Sequence, residues 1–370
     1  VSRPWAILTG EYPPQPGGVA DYTQQVAHAL AVAGDTVTVF APPIGPKASE
    51  PGLVAVVRLP DHFGPRGLLA LTRHLRRLGR PRVLVQYVPH AFGWRALNVL
   101  FASWLASSRY RHEVLFHEVA IGYEPGQSRK HRLLAGITQM HAALIARTAR
   151  RVFVSIPAWG EWLARLSPRA SAARWVPIPS NVPTQADPVA VRAVQARYPG
   201  PLVGHLGTYG PFVAPLVRAA LPGILAEASA QILLLGRGSA AMAARWQGEL
   251  GHAERIHAAD DLPPAELAAH LAACTVLLQP FADGISTRRT SAMAGVALGV
   301  PTVTNAGFLT EPLWRERQAV AFAPLADLAA TVRRALTNAN ERAALSTRAR
   351  ALYAERFALA HTIRALRSLE

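Results

Sequence analysis

The sequence predicts an α/β protein made of two doubly wound, parallel-sheet domains. Three observations point there. A chain of 370 residues suits two ordinary domains, short apolar runs alternate with helical patterns along most of it, and a proline cluster interrupts that alternation near the middle. Pro177, Pro179, Pro183 and Pro188 crowd residues 177–188 too densely for a regular element, so this stretch reads as a linker. The expected domains are residues 1–182 and 183–357, followed by a terminal helix at 358–370. Two such domains imply a cleft where the carboxyl ends of both sheets face each other.

Taken in order, Trp5–Leu8 reads as a buried strand, followed by the Gly- and Pro-rich loop Gly10–Gly18. Tyr22, Val26, Ala29, Leu30 and Ala33 keep helical spacing across Ala20–Ala33, and Gly34 ends the helix. Thr36–Phe40 is a β-branched strand, and Leu53–Arg58, Val83–Val88, Glu113–His117 and Val152–Ser155 are further candidates. Past the linker, Leu202–Leu206, Gln231–Leu235, Thr275–Leu278 and Thr302–Thr304 read as strands. Helices are expected over Ala240–Leu250, Pro264–Ala272, Arg289–Leu298, Leu325–Thr337, Glu341–Phe357 and Ala360–Leu369. Strands this continuously apolar belong to parallel sheets covered on both faces.

Half the residues are hydrophobic and 17% are charged, which excludes disordered, collagenous and disulfide-framework classes. The one cysteine, Cys274, suits a reducing compartment and reads as a buried small residue. The N-terminus lacks a charged-then-apolar leader, and no apolar stretch approaches the roughly 20 residues needed to span a bilayer. A soluble, cytoplasmic protein is the expectation. The charge is strongly positive, with 39 basic against 23 acidic side chains, and all the cations except Lys47 and Lys130 are arginine. Residues 1–185 hold 21 basic and 9 acidic groups, and residues 186–370 hold 18 and 14. The first half should therefore attract anions: phosphorylated substrates, an acidic membrane surface or nucleic acid. No basic stripe interleaved with aromatics and no nucleic-acid module is visible, so nucleic acid is not expected as a partner.

Several motifs sit where a parallel sheet binds ligands. Gly17-Gly18 opens the first helix, where paired glycines permit close backbone approach and free amides face a ligand; a long turn into the helix is an equal reading. The run from Pro280 to Ala294 carries Asp283, Gly284, Ser286, Thr287, Arg288, Arg289, Thr290 and Ser291 out of one strand and into a small-residue helix. Helix-start amides beside two arginines form an anion site suited to a diphosphate, and a hydroxyl partner suits Asp283. His117-Glu118 ends the fifth apolar strand; Glu118 equally suits a cap for the next helix. Gly207-Thr208 and Gly236-Arg237-Gly238 follow two strands of the second half, as turns or as phosphate approaches. Arg66–Arg82 alternates arginines with leucines like an amphipathic helix suited to anionic lipid, and Phe92, Trp94, Leu97, Leu100, Phe101 and Trp104 add a bulky apolar segment. Ordinary helices packed on the sheet remain open for both.

The glycine-rich first loop, the strand-end His117, and Asp283-Gly284 with Ser291 and Gly299-Val300-Pro301 together resemble the GT-B glycosyltransferases of family 4, in an order that covers nearly the whole chain. The most specific part, Pro280–Thr304, is similar to that family's donor-binding E-x7-E segment. The resemblance implies two Rossmann-like domains in the GT-B architecture and a nucleoside-diphosphate-sugar co-substrate. It also implies no required cofactor or metal, retention at the anomeric carbon, and a terminal helix returning to the first domain. Carried over by position, His117 lies near the donor sugar and Asp283 replaces the first glutamate as the contact to sugar hydroxyls. Donor contacts fall on Gly17, Gly18, Gly207, Thr208, Arg237, Ser286, Thr287, Arg288, Arg289, Thr290 and Ser291. Ser291 stands where the family's second glutamate holds the ribose, and the usual Arg…Lys pair is missing around Gly207–Leu216, leaving Arg237, Arg288 or Arg289 to supply the charge. A saccharide, lipid-linked or natural-product acceptor is expected, and the positive charge of the first half, not the resemblance, suggests peripheral contact with an anionic membrane. The competing readings are a GT-B sugar-nucleotide epimerase or hydrolase and a basic, non-catalytic nucleic-acid-binding protein.

Overall fold

The structure is a computed structural model that describes residues 4–44, 52–123 and 126–368. The chain divides into two compact units, Val1–Pro177 with Ala360–Glu370, and Ile178–Leu359. Residues 178–182, assigned from sequence to the first domain, go with the second unit for a physical reason. Ile178 N donates to Thr287 O at 3.1 Å, and Ser180 N donates to the Tyr353 hydroxyl at 3.0 Å. The end of the expected final helix, Leu369, lies outside the described residues.

The strands of the first unit are β1 (Trp5–Thr9), β2 (Val37–Ala41), β3 (Ala55–Arg58), the short extended segment β4 (Pro60–Phe63), β5 (Arg82–Tyr87), β6 (His112–Phe116), β7 (Arg151–Val154) and β8 (Arg174–Trp175). Seven of them form one parallel sheet in the order β3-β2-β1-β5-β6-β7-β8. Every residue of β1, β2 and β6 is buried, as near-continuous apolar strands with covered faces require. The helices Pro65–Arg77, Val99–Ser107 and Arg129–Thr148 lay Leu71, Leu75, Phe101, Leu105 and Ile145 into one core on a single side of this sheet. A fully buried leucine or phenylalanine there is worth about 1.5–3 kcal/mol.

The second unit contains β9 (Leu202–Leu206), β10 (Gln231–Leu235), β11 (Ile256–Ala259), β12 (Val276–Leu278), β13 (Thr302–Thr304) and β14 (Ala321–Phe322), all parallel, in the order β11-β10-β9-β12-β13-β14. Numbered within the unit, that is the 3-2-1-4-5-6 order of a dinucleotide-binding sheet, and the order reverses between β9 and β12. Ligands of such sheets sit outside the carboxyl ends of the strands at this reversal. The sequence reading missed β4, β8, β11 and β14. Two of these are only two residues long, and β11 is half-buried beyond Ile256, so an edge position erased its apolar signal. The expected helix over Glu341–Phe357 runs as Ala339–Leu352 and then widens into a π-helical turn at Tyr353–Phe357.

The final helix, Leu359–Arg367, belongs almost wholly to the first unit. Its last carbonyls have no intrahelical donor. Arg82 and Arg151, at the amino ends of β5 and β7, supply one: Arg151 Nη2 donates to Leu366 O at 2.7 Å, and Arg82 Nη2 donates to the same oxygen. Glu113 lies between the two arginines, 3.0 Å from Arg82 and 2.6 Å from Arg151, and Arg82 stacks over the Trp5 ring. Among the described residues, no helix is long and apolar enough to cross a membrane.

Candidate active site

In the second unit the candidate residues collect at the carboxyl ends of β9, β10 and β12, beside the strand reversal. The loop leaving β12 turns sharply at Gly284, whose φ is +82°, and a Cβ there would stand 2.1 Å from Gly307 N. Only glycine fits both conditions. The close approach ties this loop to the one leaving β13. Asn305 Oδ1 accepts from Phe281 N at 2.9 Å, Asn305 Nδ2 donates to Phe281 O at 2.8 Å, and Leu309 N donates to Asp283 O at 3.1 Å.

On this braced loop, Asp283 accepts a hydrogen bond from Arg288 on one carboxylate oxygen and from Arg289 on the other. Burial alone would raise the Asp283 pKa, but the two guanidiniums outweigh it and hold the group below its usual range. Arg289 also lies over the Phe281 ring, 5.1 Å from its centroid. The three side chains form a fork of two guanidiniums on one carboxylate. The fork stands beside the start of the helix Thr290–Leu298, whose first-turn amides at Thr290 and Ser291 have no partner within the helix. Ser286 and Thr287 are fully buried beneath the loop. Thr287 bonds through both amide and hydroxyl to Glu311, a buried carboxylate that also accepts from Trp314 Nε1 at 2.8 Å. Burial pushes the Glu311 pKa up.

Gly207 and Thr208 follow β9. Gly207 N donates to Leu235 O, and a Cβ on Gly236, whose φ is +93°, would stand 2.5 Å from Gly207 O, so the two glycine turns lie against each other. Thr208 is exposed. Arg237 is exposed as well and extends toward Asp261 at 3.9 Å, while the Gly238 amide is held by Asp260. The ion pair of Arg237 is thus with Asp261 rather than with Asp283. Beneath Gly207, His205 Nδ1 donates to Leu278 O at 2.8 Å, and burial drops its pKa to about 4.

In the first unit His117 follows β6 and is buried. Its Nε2 meets Gln86 Oε1 at 2.8 Å, and its ring stands edge-on to Tyr22 at 5.0 Å. Burial pushes its pKa down to about 3, so the imidazole is neutral near pH 7. The glycine loop holds a residue that the sequence reading overlooked. Glu11 Oε1 accepts from Val19 N at 2.9 Å and Ala20 N at 3.0 Å, taking two of the helix-start amides expected to await a phosphate. A Cβ on Gly17 would come within 2.4 Å of that carboxylate and displace it, whereas Gly18 faces open space. Glu118 does not cap the next helix; Ser128 does, accepting from His131 N. Cys274 is buried, as expected, with its thiol pushed up to about 12.

Two Rossmann-like units, the second with a cationic turn at its strand reversal, define the GT-B class of enzymes. Residues 17–181 match the family model described as a glycosyl transferase 4-like domain, and residues 211–368 match one described as glycosyl transferase-like. The chain belongs to the GT-B glycosyltransferases and resembles family 4. In fold it is similar to sucrose-phosphate synthase from Thermosynechococcus elongatus, at 18% identity over 99% of this chain and 97% of that one, with a TM-score of 0.79. It is also similar to WaaG, a glycosyltransferase involved in lipopolysaccharide biosynthesis, at 13% identity over 98% and 100% of the two chains, TM-score 0.71. HepE from Anabaena, solved with UDP and glucose, aligns at 15% identity over 99% and 98%, TM-score 0.71. No curated protein sequence matches the chain.

Proposed function

We propose that this glycosyltransferase takes its sugar from a nucleoside-diphosphate-sugar bound by the second unit, and that Arg288 and Arg289 receive the diphosphate. The observation that carries this reading is the Asp283–Arg288–Arg289 fork beside an open helix start at the strand reversal. Guanidiniums suit the charge that develops on the leaving diphosphate, and Asp283 holds both of them in place before the donor arrives, so little reorganisation is needed. Asp283 then acts as a positioning residue as well as a candidate contact to the sugar. The UDP and glucose held by HepE make uridine the first nucleotide to test.

Retention of anomeric configuration is part of the proposal. Asp283 has both carboxylate oxygens engaged by arginines, and His117 is a neutral imidazole bonded to Gln86, so neither is a free nucleophile. Attack by the acceptor hydroxyl on the face the diphosphate leaves fits these residues. The anomeric C–O bond to diphosphate breaks, the bond to the acceptor oxygen forms, and the hydroxyl proton passes to the departing phosphate oxygen. The acceptor belongs to the saccharide, lipid-linked or natural-product classes.

The test pairs binding with turnover. Uridine diphosphate should raise the melting temperature of the wild-type chain. Arg288→Ala/Arg289→Ala should abolish that rise and lower turnover by about 100-fold or more, the scale of a lost transition-state charge contact. Undiminished turnover in a folded double variant would sink the assignment, and product inversion seen by NMR would sink retention.

A further inference from the structure

Between Asp61 and Glu113 the chain has nine arginines and no aspartate or glutamate. Arg82 is consumed by its ion pair with Glu113, but Arg66, Arg73, Arg76, Arg77, Arg80 and Arg95 are exposed. The Asp61 carboxylate is turned onto the amides of Arg66 and Gly67 at the start of the helix Pro65–Arg77, so it caps that helix. Within the helix, Arg66, Arg73, Arg76 and Arg77 recur at the spacing that puts them on one exposed face, which also holds Leu69.

The same face carries apolar side chains that the core does not use. Helices Pro65–Arg77 and Val99–Ser107 lie side by side, joined by Trp104 Nε1 donating to Thr72 Oγ1 at 3.1 Å. One turn from each member of that bond, Leu69 and Leu100 are 53% and 44% exposed. Trp94, Leu97 and Val99, at 50%, 43% and 41%, continue the patch through the turn before the second helix. This turn is rigid. Phe92 and Phe101 stack beneath it at 4.3 Å, and Asn98 binds the carbonyls of Phe63 and Phe92 while accepting from Phe101 N. The aromatic segment thus splits: its phenylalanines build the core and its tryptophan and leucines face out.

A single exposed leucine needs no explanation, but a cluster fringed by guanidiniums does. We infer that this face of the first unit docks on an anionic phospholipid bilayer. Leu69, Trp94, Leu97 and Leu100 enter the boundary between headgroups and acyl chains, and the flanking arginines bind lipid phosphates. A nucleic-acid partner fits less well, because four of the five apolar groups are aliphatic and offer no stacking platform. A second copy of the chain fits no better, since two faces of one charge repel. The inference stands apart from the donor site, because vesicle binding requires no turnover.

Co-sedimentation of the full chain with phosphatidylcholine vesicles, with and without about one-third phosphatidylglycerol, is the experiment. Binding should require the anionic lipid and fall about tenfold or more in Arg73→Glu/Arg77→Glu, two charges moved against the surface potential. It should fall similarly in Trp94→Ala/Leu100→Ala on the same vesicles, and in about 1 M NaCl, where the Debye length is near 3 Å. All four positions are exposed, so circular dichroism should show both variants folded. Equal partition onto neutral vesicles, anionic binding untouched by either variant, or binding of a single-stranded oligonucleotide in place of vesicles overturns the inference.

Discussion

Glu311 Oε1 accepts both the backbone amide of Thr287, at 2.9 Å, and its hydroxyl, at 2.6 Å. Thr287 immediately precedes the two arginines of the candidate donor site, so a buried carboxylate 24 residues further on sets where they begin. Thr287→Val keeps the shape but leaves one lone pair of Glu311 without its hydroxyl, which should cost about 1–2 kcal/mol in urea unfolding. Glu311→Ala removes the shared acceptor of the Thr287 amide, the Thr287 hydroxyl and the Trp314 indole and should cost about 3 kcal/mol or more. Burial raises the Glu311 pKa above its unfolded value near 4.5, so the folded state binds that proton more readily, and lowering the pH through the folded pKa relieves the cost of a buried charge. Glu311→Gln should remove that relief. Equal pH dependence in the variant and the parent would contradict this account.

Gly17 and Gly18 are neighbours with opposite surroundings, and the pair separates a structural role from a ligand role. Gly17→Ala must push Glu11 off the Val19 and Ala20 amides and should cost about 1–2 kcal/mol, the value of a lost helix cap. Gly18→Ala meets no atom within 4 Å and should leave the melting temperature unchanged. If the donor or acceptor approaches this backbone closely, Gly18→Ala should nevertheless raise KM. Titrating both variants with donor while following thermal melts reads the two effects separately.

His117 titrates near 6.5 when unfolded and near 3 when buried in the fold. Between those values the unfolded chain takes up the proton first, so the stability that neutral His117 contributes is present above about pH 6.5 and lost as the pH falls toward 3. His117→Gln should flatten the fall in urea midpoint between pH 7 and pH 4.5. Because the imidazole stays neutral, no acid limb in kcat/KM between pH 5 and 8 should trace to His117. A limb in that range that vanishes in His117→Gln would show the group is a titrating acid or base after all.

Glu113→Ala leaves Arg82 and Arg151, both mostly buried, without their shared carboxylate. Breaking a buried pair from one side costs about 3–5 kcal/mol. Differential scanning calorimetry should show a large loss, and Glu113→Gln, which retains acceptor capacity on one atom, should lose less. Matching losses in the two variants would mean charge alone is decisive.

What the sequence revealed followed the range of the physics involved. β9, β10 and β13 have the residue bounds expected from their apolar runs, because burial on both faces writes itself directly into composition. β11 and β14, at the sheet edges, left no such mark. The Asp283–Arg288–Arg289 fork was partly legible, since all three lie within one loop; its internal pairing was not. Glu11, Glu311 and Gln86 went unrecognised because each acts on residues 8 to 31 positions away, through contacts that exist only once strands and loops are in place.

The two arginines that grip the Leu366 carbonyl make the first unit discontinuous along the chain. During synthesis, residues up to Pro177 leave the ribosome well before the segment that seals them, and everything between Ile178 and Leu359 emerges in the interval. The opening lobe must wait, with Arg82 and Arg151 lacking their helix carbonyls, until translation has finished the lobe behind it. Maturation of the whole polypeptide is thereby coupled, and a nonsense codon near position 358 would injure the half of the protein made first.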